Sequence, residues 1–183
     1  MAGLSGSGKS TTAQQLAQLS GAIRLRSDAV RKHIAGISIH EKGGDEIYTP
    51  AMSDKTYTRL ITLGAELASR GYRVILDAKF DRQAKREEAI ATAKAHSVSL
   101  TFLHCTAPAD ILRQRVGDRT GDIADATVDI LSKQSMEAFA PEQAVIVIDT
   151  TQPAQAIASQ LSNMFEASPN VSPNIHRREG GVP

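Results

Sequence analysis

Eight residues, Gly3-Leu4-Ser5-Gly6-Ser7-Gly8-Lys9-Ser10, fit the phosphate-loop pattern G-x-x-x-x-G-K-[ST] at every fixed position. The spacing has a chemical reason. Gly3, Gly6 and Gly8 let the backbone turn tightly and bring its N–H groups against phosphate oxygens. Lys9 supplies a point charge for the β- and γ-phosphates. The Ser10 hydroxyl is placed to ligand the Mg²⁺ that bridges them. The expected nucleotide-binding set is Gly3, Ser5, Gly6, Ser7, Gly8, Lys9, Ser10 and Thr11, and the expected cofactors are ATP and Mg²⁺. A glycine-rich loop without this role is the competing reading. It fits poorly with the helix-like stretch that follows, which keeps Ala13, Leu16 and Ala17 on one face.

Two carboxylates come next. Residues 22–25 read as a short strand, and Arg26-Ser27-Asp28 leaves its carboxyl end. Ligands of open α/β sheets bind at such ends, so Asp28 is expected to face the phosphates. Its position also suits an N-cap, and both roles can hold. Arg31 lies three residues on, on the same side of the first helical turn. Residues 72–76 form the next strand, with Val74-Ile75-Leu76 reading as buried parallel strand. That strand delivers Asp77, placed to hold Mg²⁺ directly or through water. The alternative for Asp77 is an aspartate in a surface turn.

The elements that position these groups alternate. Helices are expected at 9–20, 29–35, from Thr49-Pro50 to Gly71, from a cap at Asp81 to residue 95, at 108–119, from a cap at Asp125 to residue 139, and from Pro153 to residue 165. Strands are expected at 22–25, 72–76, 98–104 and 145–148. Tyr57, Leu60, Gly64, Leu67 and Ala68 mark a core face. Arg82, Lys85 and Arg86 read mostly as a solvated face, with Arg82 or Arg86 near enough to the helix start to reach substrate. Residues 113–126 read as a lid over the nucleotide. Arg119 is expected to neutralise transferring phosphate, and Arg115, on the same helical face, ranks second. Cys105 reads as a small buried hydrophobe.

The strand ahead of the loop presents a problem. Only Met1 and Ala2 precede Gly3, whereas a strand needs about five residues. Either the first strand lies upstream, cut short here to two residues, or something else fills the central slot.

The 183 residues suffice for one domain with a sizeable core. Residues 1–166 are expected to form it, with 167–183 a disordered tail rich in Pro, Asn and Gly. The absence of a signal-peptide pattern and the lone cysteine point to cytoplasm. Net charge is +1 and aromatics are 4% of residues, which argues against a nucleic-acid partner. No hydrophobic run approaches membrane-spanning length.

Strands alternating with helices predict a three-layer α/β fold with a mainly parallel sheet. Together with the loop, residues 3–165 resemble the small-molecule kinase branch of the P-loop fold, nucleotide-kinase-like. Arg26-Ser27-Asp28 with Arg31 resembles the acceptor-activating segment of the family that includes polynucleotide kinase, zeta toxin and chloramphenicol phosphotransferase. That resemblance assigns Asp28 as general base on the acceptor hydroxyl and Arg31 as the arginine that holds the acceptor. A closer resemblance is to the AAA-type ATP-binding half of bacterial proteins that carry an aminoglycoside-phosphotransferase-like domain upstream. It rests on 26–36, Glu46-Ile47-Tyr48-Thr49-Pro50, Val74-Ile75-Leu76-Asp77-Ala78 and Asp122-Ile123-Ala124-Asp125-Ala126. It implies an upstream fused or associated domain as partner. That family usually has threonine where this chain has Lys79.

The expected activity is transfer of the γ-phosphate of ATP to a hydroxyl of a small molecule. Lys9, Asp28 and Arg119 would carry the catalysis. The rival reading is an ATP-binding module that hydrolyses slowly and regulates a larger protein. A polynucleotide 5′-hydroxyl kinase ranks third.

Overall fold

The computed structural model describes residues 1–118 and 131–166. Short β-branched and apolar runs form four parallel strands among these residues: β1 (Ile23–Arg26), β2 (Val74–Asp77), β3 (Phe102–Thr106) and β4 (Val145–Asp149). They pair in two ladders. Ile23 stands opposite Val74 and Arg26 opposite Asp77. Phe102 stands opposite Val145 and Thr106 opposite Asp149.

Met1 and Ala2 occupy the slot between the ladders. Met1 N donates to Leu76 O at 2.8 Å on β2. Ala2 N donates to Leu103 O at 2.7 Å, and Cys105 N donates to Ala2 O at 2.9 Å, both on β3. Of the two expectations for the central slot, the structure shows two residues spanning it at the carboxyl end of the sheet. Towards the other end lies a small apolar cleft, partly open to solvent, lined by Ile61, Ala65, Val74, Leu76, Ala93 and Leu100.

Helices cover both faces, which makes the three layers that the alternation predicts. α1 (Lys9–Ser20) packs on one face, with Ala13 and Leu16 against Ile75, Leu103 and Ile148. The opposite face carries α2 (Ser27–Ala35), α3 (Pro50–Ser69) and α4 (Gln83–Ala95). There Tyr57, Leu60 and Ile61 of α3 share a core with Phe80, Ala89 and Phe102. Gly64 lets α3 approach β2, because a Cβ there would stand 2.6 Å from Leu76 Cδ2. Thr49 caps α3 by accepting from Met52 N at 3.2 Å, with Pro50 at the first position, as read from sequence. A short 3₁₀ turn spans Asp45–Tyr48. α5 (Ala109–Gly117) follows β3, and α6 (Ala154–Glu166) closes the described chain beside α1, its Ile157 and Leu161 in the same core. No helix among the described residues is long and apolar enough to cross a membrane.

Several expected boundaries move. Residues 98–101 are not strand, and β3 starts at Phe102 and includes Cys105. Asp81 does not cap α4. The N-cap is Arg82, without a side-chain cap, and the Gln83 N–H donates instead to Glu137 Oε2 at 2.6 Å. Residues 134–140 are not helical. The expected helix to 139 fails because its backbone is engaged elsewhere: Glu137 N donates to Asp81 O, and the carbonyls of Glu137 and Ala138 accept from Arg86.

An aromatic run crosses this core. Tyr57 meets Phe80 at 5.2 Å, Phe80 meets Phe102 at 5.8 Å, and Phe139 meets Phe102 at 5.9 Å and His104 at 5.1 Å between ring centroids. Burial, and secondarily Arg86, hold the His104 imidazole below its ordinary value of 6.5. The unfolded chain therefore takes up this proton first as pH falls. The contribution is fully present above the ordinary value and is lost as pH drops through the folded one. Thermal midpoints followed from about pH 7.5 to about pH 5 should decline less steeply in His104→Phe than in wild type. Parallel declines would remove His104 from the account.

Candidate functional site

The phosphate loop hangs between Ala2 and α1. Gly3, Gly6 and Gly8 have φ of 136°, 79° and 80°, in the region that L side chains rarely adopt. Their undersides are also packed. A Cβ on Gly3 would stand 2.4 Å from Cys105 O, and one on Gly6 2.5 Å from Leu112 O. So the loop is seated on the end of β3 and on the middle of α5. Gly8 is the N-cap of α1 and brings no side-chain cap, and the first-turn N–H groups of a helix are in general anion donors. Lys9 Nζ folds back to donate to Leu4 O at 2.7 Å. Ser10 is partly buried in the first turn, Thr11 is exposed, and Ser7 is buried.

Two side chains outside the motif grip this loop. Arg115 of α5 donates to Thr150 Oγ1 at 2.8 Å and Thr150 O at 2.9 Å, and to Gly6 O at 3.4 Å. Gln134 holds Ser5 at both its N–H and its hydroxyl, each at 3.0 Å. Arg115 was read from sequence as a nucleotide contact. Here it fastens α5 and the residue after β4 to the loop. Arg119, together with residues 119–126 of the expected lid, lies outside the described residues, as does the tail from 167.

The carboxylates leave the same edge of the sheet as the loop. In space the order is loop, β2, β1, because Met1 bonds β2 and β2 pairs β1. Asp28 is the second residue of α2, whose N-cap is Arg26. The capping reading of Asp28 therefore does not hold, and its carboxylate is partly buried at the end of β1. Asp77 is the last residue of β2 and only 5% exposed, which removes the surface-turn reading. Its Oδ2 accepts from Arg24 Nη2 at 2.5 Å and Arg24 Nε at 3.1 Å, with Arg26 Nε 3.9 Å away.

Arg31 is buried, donates to Ile47 O at 2.9 Å and Ser53 Oγ at 3.3 Å, and lies 5.0 Å from the centroid of the Tyr48 ring. It thereby fixes the 45–48 segment beside α2. Lys79 Nζ pairs with Asp81 at 2.9 Å, and its carbonyl accepts from Gly3 N at 2.9 Å, so the Lys79 backbone anchors the loop. Arg86 does not reach a substrate site. It is 0% exposed and buried under residues 137–143. Arg82 pairs with Glu137 at 3.0 Å on the surface.

Sequence reasoning missed Arg24, Thr150 and Gln134. One signal for Arg24 was present. Arg24 and Arg26 alternate onto one face of a strand, and two guanidinium groups on one face call for a carboxylate partner.

Mg²⁺ takes oxygen ligands, and Asp77 Oδ2 is already held by Arg24. The Ser10 hydroxyl and the Asp77 carboxylate offer oxygen ligands. The described residues hold no group of three or more His, Cys, Asp or Glu side chains that could cage an ion. Mg²⁺ in phosphate sites usually keeps waters and takes other ligands from the phosphates, so it needs few protein oxygens.

The family described as "AAA domain" matches residues 1–142. An uncharacterized protein of Mycobacterium tuberculosis is 32% identical over 130 residues, covering 68% of this chain and 26% of that protein. An uncharacterized protein of Mycobacterium bovis matches to the same extent. The chain thus spans about a quarter of the length of these relatives. Among solved structures, a sugar kinase from Janibacter sp. superposes with a TM-score of 0.68 at 25% identity, covering 93% of this chain and 94% of that one. A gluconokinase from Sinorhizobium meliloti gives 0.58 at 22%, covering 91% and 94%. The APS kinase of Mycobacterium tuberculosis, solved with AMPPNP and APS, gives 0.62 at 17%, covering 90% and 92%. The fold is therefore the three-layer α/β fold of the P-loop kinases. With the phosphate loop, both carboxylates and the strap that carries Gln134 all inside the matched stretch, the chain belongs to the AAA domain family.

Proposed function

We propose that this chain is an ATP- and Mg²⁺-dependent phosphotransferase that moves the γ-phosphate of ATP to a hydroxyl of a small molecule. The observation that carries the reading is the placement of Asp28. It leaves the sheet on the same edge as a phosphate loop whose helix end has no side-chain cap, one strand away, and it is not used as an N-cap itself. The kinase structures that share the fold support a phosphotransfer reading. The loop amides and Lys9 hold the phosphates. Asp28 takes the proton of the acceptor hydroxyl as that oxygen attacks the γ-phosphorus, and the bond from the γ-phosphorus to the ADP oxygen breaks. Arg31 shapes the acceptor side by fixing the 45–48 segment. Mg²⁺, held by Ser10 and Asp77, would neutralise phosphate charge. Arg119 is assigned the transferring phosphate on its sequence position. Phosphoryl transfer asks a protein mostly for positioning and charge stabilisation, so this set suffices.

Lys9→Ala tests the reading at its base. Charge-assisted hydrogen bonds contribute ~1.5–3 kcal/mol, so ATP affinity should fall about 10- to 150-fold by calorimetric titration. Unchanged affinity would mean that the loop does not bind phosphate. The acceptor is then identified by incubating the protein with a metabolite pool and γ-labelled ATP, and reading which compound acquires label.

A second reading is a slowly hydrolysing regulatory module. It is favoured by the relatives, in which the matched stretch is about a quarter of the protein; an upstream aminoglycoside-phosphotransferase-like partner domain would fit that length. Label appearing only in free phosphate would select it. Label on an oligonucleotide end would select a polynucleotide kinase.

A further inference from the structure

Gln134 meets the phosphate loop at two atoms of one residue. Its Oε1 accepts from Ser5 N, and its Nε2 reaches Ser5 Oγ, both at 3.0 Å. A backbone N–H can only donate, so the orientation of the amide is fixed by chemistry. Ser5 Oγ is then the acceptor in the second bond. Its own proton must point elsewhere.

The loop shows where that is useful. Lys9 Nζ folds back to Leu4 O, the neighbour of Ser5. Ser5 therefore stands at the end of the loop that the lysine serves, where the terminal phosphates meet it. The support behind Gln134 is firm. Glu137 N donates to Asp81 O at 2.9 Å, and Arg86 Nη2 donates to the carbonyls of Glu137 and Ala138. A strap tied down three residues away delivers this side chain to the loop.

We infer that Gln134 is a positioning residue that sets the polarity of the Ser5 hydroxyl, making it a hydrogen-bond donor to the terminal phosphate of a nucleoside triphosphate. The inference rests on the reading that the loop binds ATP. A plain structural clamp would steady the loop for any nucleotide, so it would serve ATP and ADP alike. A polarity device acts only where a γ-phosphate is present.

The test is calorimetric titration with ATP and with ADP of wild type, Gln134→Ala, Gln134→Met, Ser5→Ala and the Ser5→Ala/Gln134→Ala double variant. The methionine variant keeps the bulk of the side chain while removing both hydrogen bonds. Loss of one well-placed hydrogen bond corresponds to about a 3- to 10-fold drop in ATP affinity for both Gln134 variants, with ADP affinity held within about two-fold. In the Ser5→Ala background the Gln134→Ala change should cost no further ATP selectivity, since the hydroxyl it orients is gone. Equal losses for ATP and ADP would overturn the inference in favour of a clamp. So would additive losses in the double variant, or wild-type ATP affinity in Gln134→Met. A wild-type protein that binds neither nucleotide would overturn the ATP-binding reading itself, and the inference with it. That result is distinct from wild-type binding that the variants leave unchanged.

Discussion

Asp28→Asn is expected to slow phosphoryl transfer by ~10²–10⁴-fold, the range of a positioned general base, while nucleotide affinity stays near wild type. The amide keeps the size and position of the carboxylate in the first turn of α2 but cannot take a proton. Asp28 is not the N-cap of that helix. A carboxylate in the first turn interacts with the helix end for ~0.3–1 kcal/mol. The variant should therefore melt close to wild type. Turnover of label from γ-labelled ATP to the acceptor, with calorimetry for ATP and a thermal melt, separates the two contributions. Wild-type turnover with a lowered melting temperature would leave Asp28 a helix-end charge and move the base elsewhere. Lys9→Ala provides the contrast, since there binding should fail before chemistry is reached.

Arg86→Met is expected to destabilise the domain by roughly 3 kcal/mol or more, because each buried acceptor left without a donor costs ~1–3 kcal/mol. The guanidinium is 0% exposed and stacks 4.3 Å from the centroid of Phe139. Its nitrogens serve Phe80 O at 2.9 Å, Asp81 O at 3.2 Å, Gln143 Oε1 at 3.2 Å, Glu137 O at 3.1 Å and Ala138 O at 2.5 Å. Methionine can fill the space but leaves these acceptors without a donor. Total stability is only ~5–15 kcal/mol, so the loss is a large part of it. Arg86→Lys should recover little, because an ammonium has three donors and no planar fork to reach both sides. Urea midpoints decide the matter. An Arg86→Met midpoint close to wild type would mean that water or a rearranged strap satisfies those carbonyls.

The contrast between these two residues shows what the chain disclosed by itself. The phosphate loop was legible because its chemistry is local: every fixed position lies within eight residues. Thr49-Pro50 was legible for the same reason, as was Asp77 at the end of an apolar run. Arg86 was not. Charged residues are almost never fully buried unless paired, and three of its five acceptors come from residues 51 to 57 positions away. The same distance hid the departure of residues 134–140 from helix, since their backbone partners sit in another loop. Arg24 against Asp77 is a register relation between strands 53 residues apart, and no periodicity encodes register between parallel strands. The slot ahead of the loop could be posed from the sequence only as a question. In the structure Met1 and Ala2 bond both neighbours of that slot at once.

That last feature has a mechanical meaning. Two separate ladders meet through the backbone bonds of Met1 and Ala2, and the phosphate loop begins at the next residue. The loop is therefore a hinge pin as well as a cradle: Gly3 ties to Lys79 beyond β2, while the seat of the loop lies on Cys105 in β3 and Leu112 in α5. A polyanion gripped by the loop would stiffen the joint between the two halves, since binding to the native state alone shifts the balance against opening. Occupancy of the site and the tensile strength of the sheet become one variable. With nucleotide in the loop, the midline would be harder to part than without it.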